Sequence, residues 1–98
     1  MKMMDEVEVI VEKEKYTKKG VHKGMQGVIW DERKIDGSWL VLIPQYGTKK
    51  DIAEIGIKEE DLKLVPNGIN VKINGKIKKQ FENIGILIAP TSQTEKVA

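Results

Sequence analysis

Cysteine is absent from this chain of 98 residues, which removes disulfides, thiolate metal sites and cysteine nucleophiles together. Arginine is almost absent, since 17 residues are basic and Arg33 is the only one that is not lysine. Lysine is a hydrated point charge, whereas the planar guanidinium of arginine makes the bidentate contacts that read base edges. Sequence-specific recognition of nucleic acid is therefore disfavoured. The single histidine, His22, stands between Val21 and Lys23 with no second imidazole to complete a metal site, and reads as a solvated loop residue. Ser38 and Ser92 are the only serines, and neither lies in a Gly-x-Ser-x-Gly elbow. No glycine-rich phosphate loop occurs. Aromatics make up 5% of the chain, too few to line a polyproline-binding groove.

Long hydrophobic runs are missing too. Those at 39–44 and 84–90 fall far short of the roughly 20 residues that span a bilayer. Near the start, Asp5, Glu6 and Glu8 interrupt every apolar stretch, so no signal-peptide core is expected there. These absences argue against an enzyme, a membrane protein or a secreted one. No cofactor or metal is expected, and the expected location is cytoplasmic. Net charge is +2, too close to balance for the whole-molecule field to gather polyanions, so any such attraction must be local.

What remains is β-forming. Val7, Val9 and Val11 alternate with Glu6, Glu8 and Glu12, the period of a strand that buries one face. Residues 13–23 carry lysines around Tyr16 without apolar alternation and read as a long loop. A second strand is expected over 25–30. A polar segment over 31–37 ends in Asp36-Gly37, a turn pair that tolerates positive φ. Ser38 to Ile43 is a run of β-formers closed by Pro44. Further strands follow over 52–57 and 62–65, the last ended by Pro66, which lacks an N–H and restricts the residue before it. Trp30 and Trp39 are both expected in the core, as large aromatics in a small domain usually are. The adjacent acids Glu59, Glu60 and Asp61 read as solubilising charge.

These spacings predict an all-β fold, a small five-stranded SH3-like barrel over residues 1–66 with a C-terminal β-hairpin extension over 67–90 and a frayed tail over 91–98. In the extension, a three-residue loop around Asn74-Gly75 would pair Ile73 with Ile77 and Ile69 with Phe81. A helix is the competing reading, because Ile77, Phe81 and Ile84 recur at i, i+4 and i+7. Strands are the expectation here, with a further strand over 86–89.

The stretch Gly20-Val-His-Lys-Gly-Met-Gln-Gly-Val-Ile-Trp-Asp, between an alternating strand and Trp39-Leu-Val-Leu-Ile, resembles KOW-type SH3-like barrels of ribosomal proteins and transcription elongation factors. Gly24 and Gly27 carry the resemblance, which covers roughly residues 5–65, and the chain is also similar to small bacterial proteins. The resemblance implies a fold more than a function. Joined to the lysine cluster, it leads to the expectation of a non-catalytic module that contacts RNA or a ribonucleoprotein through phosphates. The contacting residues would be Lys13, Lys15, Lys18, Lys19 and Lys23, with Tyr16 as a stacking residue. Lys76, Lys78 and Lys79 form a second cluster. The alternative is a protein-interaction or assembly domain that docks a partner or another copy of itself.

Overall fold

In the computed structural model, residues 1–47 and 50–88 are described, and five strands form one antiparallel sheet. They are β1 (Glu6–Val9), β2 (Gln26–Ile35), β3 (Ser38–Ile43), β4 (Ala53–Lys58) and β5 (Leu62–Leu64), in the spatial order β4-β3-β2-β1-β5. A four-residue helix, α1 (Glu14–Thr17), interrupts the β1–β2 connection, a 3-10 turn over Glu59–Asp61 leads from β4 to β5, and α2 (Val71–Ile88) follows the sheet. The protein is thus mostly β, as the alternation predicts. Among the described residues the edge strands β4 and β5 do not pair, so the sheet is open.

The alternation decides which side chains meet. Val7 and Val9 from β1, Ile29 from β2, and Trp39, Val41 and Ile43 from β3 pack with Ile57 of β4 and Leu62 of β5 in one core. Each valine buried this way stabilises the fold by roughly 1.5–3 kcal/mol. The intervening Met25, Val21 and Tyr16 come from the β1–β2 connection and complete the cluster. Gly27 is a position only glycine can fill, because an added Cβ would strike the Leu42 carbonyl oxygen and come within 2.8 Å of Ile43 Cδ1. This close approach of β2 to β3 gives a physical reason for one glycine of the quoted stretch.

Two expectations fail within the sheet. Residues 31–35 are strand rather than loop, because β2 runs on to a two-residue turn at Asp36-Gly37, where φ is 53° and 78°. Between Ile29 and Lys34, five positions of β2 advance against two of β3, from Val41 to Trp39, so the ladder bulges. Trp30, just after Ile29, points away from the core and is 45% exposed, while Trp39 is 6% exposed, so only one tryptophan is in the core.

The largest correction concerns 67–90, where the expected β-hairpin extension is α2, and the further strand over 86–89 is also helical as far as Ile88. Ala89 and the expected frayed tail, 91–98, lie outside the described residues. The helix starts at a polar cap, since Asn70 Oδ1 accepts the Lys72 N–H at 3.1 Å. Asn74 then does the opposite of forming a turn. It is fully buried, and its Oδ1 accepts the Gln26 N–H at 2.8 Å while its Nδ2 donates to the carbonyls of Gln26 (2.7 Å) and Pro44 (2.8 Å). Continuing the β2–β3 register brings Gln26 opposite Pro44, and proline has no N–H to offer the Gln26 carbonyl. The Asn74 carboxamide supplies that donor from the helix. Gln26 returns the contact, its Oε1 accepting the Asn70 N–H at 2.7 Å and its Nε2 donating to Glu8 Oε1 at 2.9 Å.

Candidate nucleic-acid interface

The six residues expected to form the interface are not all presented at the surface. Tyr16 is 2% exposed, its hydroxyl donating to Asp61 Oδ2 at 2.7 Å and accepting the Lys58 N–H at 3.0 Å. Its ring is core and is not presented for stacking. Lys13 Nζ reaches the same Asp61 oxygen at 2.8 Å, and Lys15 Nζ lies 5.2 Å from the centre of the Tyr16 ring. Lys18, Lys19 and Lys23 are exposed. Asp61 itself, expected in solvent, is 3% exposed. Burial pushes its carboxyl up, but the bonds from Lys13 and Tyr16 outweigh burial and hold it below the usual 3.8. The same hydrogen bond raises Lys13 above its usual 10.5. This cluster ties α1 to the 3-10 turn and leaves two of the six residues occupied inside the protein.

His22 is similarly engaged. Its ring stacks on Phe81 of α2 with centroids 3.6 Å apart and planes 8° from parallel, and its Nδ1 is 2.7 Å from Glu12 Oε2. The helix is therefore pinned to the β1–β2 connection on one side by His22, and by Ile77, whose Cδ1 lies against Gly24. On its other side it faces the β3–β4 connection through Pro44 and Tyr46.

That second side carries a lysine-lined surface feature. An open groove of about 560 Å³ runs between Gln45 and Tyr46 on the connection and Lys72, Gly75, Lys76 and Lys79 on α2, with Lys78 and Glu82 also lining it. Tyr46 is 66% exposed, with Lys72 Nζ 4.8 Å from its ring centre. Lys72, Lys76 and Lys79 fall at i, i+4 and i+7, which places them on one face of a helix with successive axial steps of about 6 and 4.5 Å. Lys78 pairs with Glu82 at 2.9 Å, but among the described residues the other three lysines make no ion pair. Of these, Lys76 and Lys79 were visible in the sequence as part of a cluster. Lys72 and Tyr46 were not, because the expected hairpin would have set Lys72 on a strand, and nothing local joins it to Tyr46.

An aromatic face among unpaired cations can hold a polyanion with flat rings, the two properties of a nucleic-acid strand. Among the described residues no group of three or more His, Asp or Glu side chains is placed to hold a metal ion, and no helix is long and apolar enough to cross a membrane. No known family model, curated protein or solved structure matches the chain.

Proposed function

We propose that this protein is a non-catalytic module of the KOW-type SH3-like class that binds RNA through phosphate contacts centred on the α2 groove. The observation that carries the reading is the row Lys72, Lys76 and Lys79, unpaired among the described residues, beside the exposed ring of Tyr46. Lys18, Lys19 and Lys23 are further exposed cations, on the β1–β2 connection. Five antiparallel strands, the 3-10 turn before β5 and the crowded glycine at Gly27 support the class assignment. The scarcity of arginine fits a site that counts phosphates rather than reading bases.

The test is binding of a fluorescent RNA oligonucleotide by anisotropy over a range of salt. Three phosphate contacts on a single strand give a log–log slope of about −2, at roughly −0.7 per contact. No binding at about 50 mM salt removes the proposal. A second reading, an assembly domain, is favoured by the sheet face opposite the core, where Trp30 and Ile35 are 45% and 56% exposed. It gains if the same preparation shows no RNA binding but a sedimentation coefficient that rises with protein concentration.

A further inference from the structure

We infer that the groove is selective for single-stranded RNA, with one unstacked base lying on the Tyr46 ring and successive phosphates following Lys72, Lys76 and Lys79. This rests on the RNA reading above and adds the class of strand and the residue that selects it. The two tyrosines of the chain divide sharply. Tyr16 is 2% exposed with its hydroxyl bonded on both sides, whereas Tyr46 is 66% exposed and spends its ring on no hydrophobic neighbour in the groove. It shares the groove with Gln45, Lys72, Gly75, Lys76 and Lys79, and with Lys78 and Glu82, which pair with each other at 2.9 Å. An isolated aromatic ring among cations is poorly suited to an apolar protein partner, which needs a contiguous apolar patch. It suits a base, because every base has a π-face.

The floor of the groove is open at the matching place. A Cβ built on Gly75 would meet nothing within 4 Å, so no other group covers the helix at that point of the groove lining. The ammonium of Lys72 lies 4.8 Å from the ring centre, a contact that is weak at an exposed site and gives way when a base arrives. Lys72 then turns to the phosphate of that nucleotide, and Lys76 and Lys79 take the next ones along the helix. A duplex cannot use this arrangement. Its bases are stacked inside and offer no face to Tyr46, so it would engage the lysines alone.

The experiment uses the full chain and an RNA of about eight nucleotides, within the usual range of single-strand site sizes, free and annealed to its complement. Wild type, Tyr46→Phe and Tyr46→Ala are compared by anisotropy at one salt concentration and then across salt. The expected result is tighter binding of the free strand than of the duplex by about tenfold. Tyr46→Ala loses about tenfold on the free strand, Tyr46→Phe keeps the affinity, and the salt slope is the same in all three. Tyr46 is exposed, so unchanged thermal melts establish that the variants fold. Equal affinity for both RNA forms, or an unchanged free-strand affinity in Tyr46→Ala, overturns strand selectivity while leaving the phosphate-binding proposal standing. Absence of binding to either form overturns both.

Discussion

The groove beside Tyr46 and the β2–β3 hairpin beside Trp30 are built from the same materials, an exposed aromatic ring and several cations, yet they have opposite electrostatic character. In the hairpin and at the adjoining end of β4 each cation is engaged. Arg33 holds Asp31 through Nε at 3.1 Å and Nη2 at 3.0 Å, Lys34 reaches Glu59 at 3.4 Å, and Lys58 Nζ donates to the Asp36 carbonyl at 2.7 Å. The hydrogen bonds from Arg33 lower the Asp31 carboxyl to about 2. Glu59, bonded first by the Trp39 indole and then by Lys34, is lowered as well. On α2, Lys72, Lys76 and Lys79 have no such partners among the described residues. A count of lysines therefore says little about where a polyanion binds. What matters is whether each charge is already satisfied by a neighbour, and that depends on which segments the fold brings together.

The two regions also differ in how they are held, and Asn74 is where the difference is largest. The hairpin is secured by its own ladder, whereas α2, besides its Ile77 and Phe81 contacts, is hydrogen-bonded to the sheet by one buried carboxamide that satisfies the Gln26 N–H and the Gln26 and Pro44 carbonyls. Leucine at 74 fills the space but leaves those groups without partners, at about 1–3 kcal/mol for each that stays buried. Asn74→Leu should lower stability by about 3 kcal/mol in urea unfolding and abolish RNA binding, while the tryptophan fluorescence of the folded protein is preserved. A denaturation midpoint equal to wild type would show that α2 is not held this way.

A smaller effect sharpens the other side of the comparison. Asp31 has a folded-state pKa of about 2 against its usual 3.8, so folding is favoured by its charged form. That contribution is fully present above pH 3.8 and is lost as pH falls toward about 2. Because the pair is exposed, its effect on stability is small and the titration itself is the better readout. A carboxyl NMR titration should place Asp31 near 2, and Arg33→Ala should return it toward 3.8. An Asp31 midpoint insensitive to Arg33 would mean that the hairpin cations are as free as those of α2.

The sequence was most legible where one periodicity acted alone. The alternation of β1, the bounds of β3 at Ser38–Ile43 and the Asp36-Gly37 turn all follow from local pattern. It was least legible where a distant partner decided the outcome. Asn74-Gly75 has the composition of a hairpin turn, but the needs of Gln26, 48 residues away, draw Asn74 into a helix. Tyr16 and Asp61, separated by 45 residues, each look like surface residues in their own segments and bury one another when joined. Trp30 and Trp39 are indistinguishable by type, and strand parity sends one outward and the other in. Half of the groove was foreshadowed by Lys76 and Lys79. Its aromatic half required the placement of α2 against the β3–β4 connection.

The contrast between the two aromatic regions is tested most directly by mapping backbone amide shifts in a 1H–15N NMR titration with a short single-stranded RNA. Shifts concentrated at Gln45–Gly47 and Lys72–Lys79, with Trp30–Ser38 unmoved, are the predicted result. Shifts concentrated on Trp30–Ser38 instead would contradict the claim that unsatisfied charge beside an exposed ring marks the binding face.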